Sequence, residues 1–267
     1  GLILWDHGGG SIAGVCFDER NSYDALSLRE VDTALATSFT KMWDKFDFIG
    51  FDACLMGSYE MALHLVPFAD YMIASEELEP GTGWAYNGWL PKLVDNPGIS
   101  IETLGKAIVD SFISSVSKNR SEYATLSVID LSEMKPLVEA VEDMATTLNG
   151  QLDEDFSTMS RLRQNMRSFG QISNAASDMV DLTTYAEVFS RYDSDAAADI
   201  KAALKDVVVY SKYTSNLSGV TGSHHISSPV RKPCVLAFHL TKAVLHNGLR
   251  NRHLIIRANT VARESLH

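Results

Sequence analysis

The sequence predicts an α/β domain with a mostly parallel central β-sheet, because strands and helices alternate from the first residues onward. Short apolar runs over 2–5, 46–51 and 71–74 stop at polar or glycine-containing loops, which is typical of buried strands. We predict helices over 28–43 and 57–66, between those runs. Strands joined by helical crossovers run in the same direction, so we expect a parallel sheet with right-handed connections.

The later elements follow from similar signals. We predict a strand over 124–129 and helices over 101–117, 132–149, 153–168, 181–192 and 195–213. Gly150 is predicted to end the helix over 132–149, because glycine is common just after the last turn. Proline and glycine cluster over 80–98, which we interpret as a functional loop rather than a linker.

Length and charge limit the possible functions. The 267 residues suffice for one large domain or two small ones, each with a core. The formal net charge is −11, so phosphate would repel the chain and we expect no nucleic-acid partner. Basic peptides would instead be attracted. We find no apolar run of about 18 residues and therefore predict no membrane span.

The two ends of the chain are unusual. The sequence begins Gly-Leu-Ile-Leu, inside a predicted strand, and we interpret it as a fragment or trimmed chain. Residues 223–267 hold seven of the 23 Lys and Arg and one of the 34 Asp and Glu, so the net charge is about +6 there and about −17 over 1–222. This break predicts a domain over 1–222 and an atypical basic tail over 223–267. His224 and His225 in the tail lack the spacing of a metal site.

Candidate catalytic groups follow two of the predicted strands. His7 comes just after the first strand and Cys54 just after the strand over 46–51. In an open parallel sheet, both would lie beyond the carboxyl ends of neighbouring strands, where active sites form. A thiol needs a neighbouring base because the thiolate is the attacking species. The amides of Gly8 and Cys54 are the natural donors to an oxyanion, since Gly8 lets the backbone approach a substrate closely.

Three sequence blocks carry a family resemblance. Leu-Ile-Leu-Trp-Asp-His-Gly-Gly-Gly (2–10) and Phe-Asp-Ala-Cys-Leu-Met-Gly (51–57) resemble the His and Cys blocks of clostripain-like cysteine peptidases. Ile-Ala-Ser-Glu-Glu-Leu-Glu-Pro-Gly-Thr-Gly-Trp (73–84) is similar to the block that follows them in that family. The resemblance spans residues 1–222. It implies a three-layer α/β/α sandwich of the caspase/hemoglobinase type, here with additional C-terminal helices.

The resemblance also implies the chemistry. His7 would be the general base and acid, Cys54 the nucleophile, and the reaction hydrolysis of a peptide or protein after Arg or Lys. Asp52, Thr82, Ser75 and Glu76 would line the substrate site, with Asp52 near the cationic side chain. The chemistry requires no cofactor and no metal, although calcium can support the fold in this family. The resemblance further implies a bacterial enzyme that acts outside the cell or in the cell envelope.

The chain departs from the family at three points. Thr82 stands where the family often has an acid, which would weaken selection for Arg and Lys. The resemblance implies a strand and a helix before the His block, which we expect this chain to lack. After Ser-Gly-Val-Thr-Gly (218–222) the expected apolar strand does not follow, so the tail is hypothesised to be a frame-shifted or foreign end. Intact mass and gene sequencing that gave one unbroken native frame would remove that hypothesis.

Several readings stay open beside the catalytic one. Arg20 is a candidate for self-cleavage, because family members often cut themselves between the His and Cys blocks. Asp52 either binds substrate or caps the turn after its strand. Trp84 and Trp89 either line a groove or anchor the loop. The chain as a whole is either a peptidase or an inactive relative that binds peptides or a partner.

One further polar group and the other two thiols are expected to have no catalytic role. Asp6 is predicted to be a structural hydrogen-bond acceptor, and Cys16 and Cys234 to have no catalytic role. Three cysteines are too few for a disulfide framework and match no zinc pattern. The run Gly8–Gly10 lacks the spacing of a phosphate-binding loop.

Overall fold

A computed structural model describes residues 1–39, 44–119, 121–166, 168–170, 179–217 and 237–239. The strands are β1 (Leu2–Trp5), β2 (Val15–Asp18), β3 (Asp24–Leu26), β4 (Phe46–Asp52), β5 (Ala69–Ala74), β6 (Thr125–Asp130), β7 (Met179–Asp181), β8 (Val208–Tyr213) and β9 (Ala237–His239). The helices are α1 (Gly10–Ala13), α2 (Leu28–Phe39), α3 (Tyr59–Leu65), α4 (Tyr86–Asp95), α5 (Ile101–Val116), α6 (Met134–Asn165), α7 (Leu182–Phe189) and α8 (Ser194–Val207).

A five-stranded sheet in the order β1-β4-β5-β6-β8 organises the fold. The β1–β4 and β4–β5 pairs are parallel, whereas β6 is antiparallel to both β5 and β8. All strands of this sheet except β6 therefore run in the same direction. The prediction of a mostly parallel sheet is confirmed.

Helices cover both faces of this sheet, and a separate apolar core fills each space. One core joins β4 and β5 to α2, α3, α6, α7 and α8. The other lies between the opposite face of the sheet and the pair α4 and α5, and it buries Trp84 and Trp89. This arrangement is the predicted three-layer sandwich, because a sheet with apolar side chains on both faces needs a helical layer on each.

Local sequence signals explain several helix starts. Ser58, Ser100 and Asp181 accept hydrogen bonds from backbone amides in the first turns of α3, α5 and α7. Such N-caps satisfy amide groups that have no partner within the helix. Asp193 has the same role for α8. The caps fix where each helix leaves the sheet, and α3 starts shortly after the Cys block.

Two element predictions were wrong. The helix over 132–149 does not end at Gly150: α6 continues through this glycine to a kink at Asp155, where the backbone leaves helical geometry, and then runs on to Asn165. The break between the two helices predicted over 132–149 and 153–168 thus lies at Asp155 instead of Gly150. The predicted helix over 195–213 ends at Val207, and residues 208–213 form β8. Val208 and Val209 are β-branched and β8 pairs with β6, so strand pairing is favoured over another helical turn.

Several smaller elements were not predicted from the sequence. A hairpin of β2 and β3 forms between the His and Cys blocks. The Pro- and Gly-rich segment 80–98 contains α4. The strand β9 lies in the predicted tail and pairs with β7. Other residues of the tail, including His224, His225 and Cys234, lie outside the described residues. The same is true of 40–43, the end of the first predicted helix.

Within the described ranges, no helix is long and apolar enough to cross a membrane.

Candidate active site

The His and Cys blocks leave the sheet side by side. Trp5 at the end of β1 is paired with Asp52 at the end of β4, and the Asp6 amide donates to the Asp52 carbonyl at 3.4 Å. His7 and Cys54 lie two residues beyond these paired positions. The parallel β1–β4 pair thus brings the two candidate catalytic residues to the same edge of the sheet, as the sequence predicted.

Gly8 lies directly against the backbone of Cys54. A Cβ atom built on Gly8 would lie 2.2 Å from the Cys54 carbonyl oxygen and 3.0 Å from the Cys54 nitrogen, so only glycine fits here. A bridge between Gly8 and Val15 and a hydrogen bond from the Cys16 amide to the His7 carbonyl (2.9 Å) fix the other side of the loop. The glycine is therefore required for close approach of the two blocks.

A tight turn presents the Cys54 side chain. Leu55 has φ of 65°, in the left-handed region that costs a branched residue about 1 kcal/mol or more. The Leu55 amide donates to the Glu77 carbonyl (3.2 Å) and the Gly57 amide to the Ser75 carbonyl (2.7 Å). The segment 75–79 thus runs beside the Cys block and holds its strained turn in place.

The Cys54 sulfur is half-buried and in contact with the backbone of Glu79. The Glu79 amide donates to Cys54 Sγ at 3.2 Å, and the thiol lies 3.6 Å from the Glu79 carbonyl oxygen. Burial raises the pKa of the Cys54 thiol, and hydrogen bonds from the Glu79, Cys54 and Gly8 amides partly offset that effect. The group is a neutral thiol at pH 7 in this arrangement, surrounded by amides suited to a negative charge.

The His7 imidazole is turned toward the β2–β3 hairpin. Its Nε2 atom lies 3.2 Å from Glu19 Oε1, and both side chains are more than 60% exposed. No hydrogen bond joins His7 to Cys54 among the contacts of the described residues. An exposed pair of this kind contributes at most about 1 kcal/mol, so it is a weak restraint on the imidazole.

Asp52 is buried beneath the loop that follows β5. Its Oδ1 accepts from the Trp84 amide (3.0 Å) and its Oδ2 from the Tyr86 hydroxyl (2.9 Å). Gly83 has φ of +62°, and a Cβ atom there would lie 2.8 Å from Asp52 Oδ1. Burial raises the pKa of the Asp52 carboxyl despite these donors. Asp52 therefore holds this later loop in place and lies two residues from the nucleophile candidate. The two roles predicted for it from the sequence, substrate binding and capping of the turn after β4, remain predictions.

Three glutamates of the block over 73–84 point in different directions. Glu76 is fully buried and accepts hydrogen bonds from the Thr125 and Ser127 hydroxyls of β6. Glu77 accepts from the Leu78 and Gly170 amides. The carboxyl of Glu79 lies near Asp52, with its Oε1 at 3.5 Å from Trp84 Nε1. Of these three carboxyls, only that of Glu79 lies next to both Asp52 and Cys54.

Burial keeps the Glu76 carboxyl protonated and the Ser75 hydroxyl away from solvent. Burial raises the pKa of Glu76 to about 8, so this carboxyl is mostly protonated at pH 7. Ser75 is fully buried and donates to the Glu77 carbonyl at 2.9 Å. In this structure both predicted substrate-site side chains are part of an internal hydrogen-bond network between β5 and β6, so neither is open to a substrate.

The other predicted residues occupy exposed or core positions. Thr82 lies exposed at the tip of the loop over Asp52, and Arg20 lies exposed in the turn of the β2–β3 hairpin. Asp6 is exposed and accepts from the His7 amide. Trp84 and Trp89 are 3% and 2% exposed, so they anchor the loop from the core side instead of lining an open groove.

The described residues contain no group of three or more His, Cys, Asp or Glu side chains with the geometry of a metal site. The expectation that calcium supports the fold remains a prediction.

Comparison of the sequence with known proteins identifies its family. The sequence model of the clostripain family, peptidase family C11, matches residues 1–237. The chain belongs to the clostripain family. Clostripain of Hathewaya histolytica is 24% identical over an alignment of 263 residues that covers 79% of this chain and 49% of that protein. The chain therefore spans about half the length of that curated relative. The family match extends beyond residue 222, and the predicted boundary there remains a prediction.

Solved structures of C11 proteases share this fold. A secreted C11 cysteine protease from Bacteroides thetaiotaomicron, in complex with an irreversible peptide inhibitor, superposes with a TM-score of 0.63 at 19% identity, over 98% of this chain and 70% of that chain. An inactive zymogen C11 protease from Parabacteroides distasonis gives 0.56 at 20% identity, over 98% and 67%. A clostripain from B. thetaiotaomicron with the peptide inhibitor BTN-VLTK-AOMK gives 0.56 at 15% identity, over 86% and 93%. The predicted caspase/hemoglobinase type of fold is thus confirmed.

Sequence reasoning missed three residues of the site in this clostripain-family chain. Glu19 contacts His7 from a hairpin that the sequence did not predict. Tyr86 donates to Asp52 from a helix within the predicted loop. Glu79 lies in the block over 73–84, but no periodicity tells which of its three closely spaced glutamates turns toward the thiol. These contacts depend on loop conformation, which a local sequence pattern does not determine.

Proposed function

We propose that this chain is a cysteine endopeptidase that cleaves after Arg or Lys, with Cys54 as the nucleophile and His7 as the general base and acid. The observation that carries the proposal is the junction of the two blocks, where Gly8 lies against the Cys54 backbone and amides of both blocks lie near the sulfur. Membership of the clostripain family supports the same reaction class.

The reaction begins with proton transfer. His7 takes the proton of the Cys54 thiol, and the thiolate attacks the carbonyl carbon of the scissile bond. The amides of Gly8 and Cys54 stabilise the oxyanion of the tetrahedral intermediate. His7 then gives its proton to the leaving amine, and water hydrolyses the thioester to release the acyl product. This chemistry needs no cofactor.

The described arrangement is a resting state in this proposal. The thiol contacts the Glu79 backbone and the imidazole contacts Glu19, so both side chains must turn toward each other before proton transfer. The Glu19 contact is exposed and weak, so substrate binding is sufficient to reorganise it. Asp52, two residues before Cys54, is the proposed first acid of the pocket for the cationic side chain. In support, the inhibitor bound to the B. thetaiotaomicron clostripain carries the peptide VLTK, in which K comes last.

The test is cleavage of matched fluorogenic peptides with Arg, Lys, Ala or Asp before the scissile bond, by wild type and Cys54→Ala. We expect cleavage after Arg and Lys by wild type only. Cleavage that persists in Cys54→Ala would contradict the assigned nucleophile. Cleavage confined to the Ala or Asp peptides would keep the mechanism and refute the specificity.

The second candidate is an inactive relative that binds peptides or a partner. The observation in its favour is that the imidazole of His7 contacts Glu19 rather than Cys54 within the described residues. A peptide probe that alkylates activated thiols separates the candidates. Labelling of folded wild type but not of Cys54→Ala supports the peptidase, whereas peptide binding without labelling supports the inactive relative.

Self-processing and export are further parts of the proposal. Arg20 lies in an exposed turn between β2 and β3, where a protease has access to the backbone. We expect wild type to be cut after Arg20, and both Cys54→Ala and Arg20→Gln to stay intact by mass spectrometry. A cut at this bond in Cys54→Ala expressed alone would argue against self-processing.

Export from a bacterial cell is proposed because the similar proteases include a secreted one.

A further inference from the structure

Glu79 occupies a position that its role as a loop residue does not explain. Its backbone amide and carbonyl both contact the Cys54 thiol, at 3.2 and 3.6 Å. Its carboxyl turns inward, where Oε1 lies 3.5 Å from Trp84 Nε1. The other oxygen, Oε2, is buried, and no Lys, Arg, amide or hydroxyl group of the described part of the chain donates to it; the carboxyl pairs instead with that of Asp52. Buried acids without a cation nearby are costly to ionise, so this pair lacks a countercharge.

The neighbouring carboxyl strengthens this conclusion. Asp52 lies beside Glu79, and no Lys, Arg or His of the described ranges forms an ion pair with either acid. Burial raises the pKa of Glu79 well above its ordinary value, and the charge on Asp52 raises it further. Two desolvated carboxyls this close do not ionise together, so in the empty site they share a proton. A bound cation would replace that proton.

Thr82 cannot supply a negative charge for binding a cationic side chain, so a second acid must come from another residue of the loop. Thr82 is exposed at the loop tip and offers no charge, whereas Glu79 lies on the inner side of the same loop. We propose that Glu79 is a specificity-determining residue whose carboxylate, together with that of Asp52, binds the guanidinium or ammonium group of the residue before the scissile bond. A guanidinium has several N–H donors in a planar fork and can reach both carboxylates at once. This inference rests on the proposed peptidase function.

A cation that enters between the two acids must displace the shared proton. Binding of an Arg peptide is therefore accompanied by proton release, and binding of a neutral isostere is not. The titratable groups that face Glu79 are Asp52 on β4, Cys54 after β4 and Tyr86 on α4. The proton release is assigned to the carboxyl pair because the thiol is absent from a Cys54→Ala protein and the pKa of Tyr86 is raised far above the assay range.

The first experiment measures kcat/KM for matched peptides with Arg or citrulline before the scissile bond. Citrulline keeps the shape of arginine without its charge. We expect Glu79→Gln to lower the Arg-to-citrulline ratio at least 10-fold and to leave the rate on citrulline within about threefold. Glu139→Gln, on the exposed face of α6, is the matched control and should change neither value. An unchanged ratio, or an equal loss on both peptides, would overturn the proposal.

The second experiment does not depend on catalysis. On the Cys54→Ala background, calorimetry in two buffers of different ionisation enthalpy gives the Kd of an Arg peptide and the number of protons released. In the protein that keeps Glu79, we expect the Arg peptide to bind with proton release. In Glu79→Gln we expect binding to be at least 10-fold weaker and no proton to be released. Glu79→Asp, which keeps the charge, should recover part of the affinity and show that the loss is not misfolding. Absence of Arg-specific binding in folded Cys54→Ala would overturn the proposal even if wild type cleaves neutral peptides.

Discussion

Replacement of Gly8 by alanine tests whether contact between the two blocks sets the catalytic geometry. A Cβ atom at this position would lie 2.2 Å from the Cys54 carbonyl oxygen, and ordinary contact begins at 3.4 Å. The two nearest obstructing atoms, the carbonyl oxygen and the nitrogen of Cys54, are backbone atoms, so the blocks must move apart by about 1 Å. Misplacement of reacting groups by about 1 Å lowers rates roughly 100-fold. We therefore expect kcat to fall about 100-fold in Gly8→Ala.

The assay is the initial rate on the preferred fluorogenic peptide, normalised to folded protein. The added methyl group also overpacks the junction, and a loss of about 1–3 kcal/mol in the free energy of unfolding is expected, so rates are compared well below the melting temperature. Gly150→Ala is the matched control, because a Cβ atom there meets nothing within 4 Å. Wild-type kcat in folded Gly8→Ala would refute the reasoning, since the oxyanion donors would then tolerate displacement.

Three further predictions concern stability. Gly150→Ala should raise the free energy of unfolding by about 0.5–1 kcal/mol in urea titrations, because the glycine lies exposed inside α6; a decrease would contradict this. Ser58→Ala should lower it by about 1 kcal/mol, because the cap of α3 is lost; an unchanged midpoint would contradict this. Because the pKa of Glu76 is raised to about 8 in the folded state, its ionisation destabilises the fold as the pH rises from about 5 to 8, by up to about 1.4 kcal/mol per pH unit. Glu76→Gln should remove that part of the pH dependence, and equal slopes in the two proteins would contradict the assignment.

Local sequence patterns were sufficient for the strands that carry the site. The apolar runs before His7 and Cys54 predicted β1 and β4, and their parallel pairing placed both residues at one sheet edge. The patterns failed where tertiary contacts outweigh local preference. Gly150 costs α6 only about 1 kcal/mol, which packing along the rest of the helix exceeds. Residues 208–213 form a strand because β6 is available to pair with them.

The sequence by itself determined the order of the chemistry along the chain: a strand, His7 and Gly8, a second strand, then Cys54 and a glutamate-rich loop. It also determined the family, since the blocks are continuous in sequence. Only the tertiary structure decided which glutamate serves which purpose. Glu76 turns toward the β6 hydroxyls and Glu79 toward Asp52 and the thiol. The physical reason is that irregular backbone has no fixed side-chain period, so direction is set by the partners that each desolvated carboxyl finds in the folded protein.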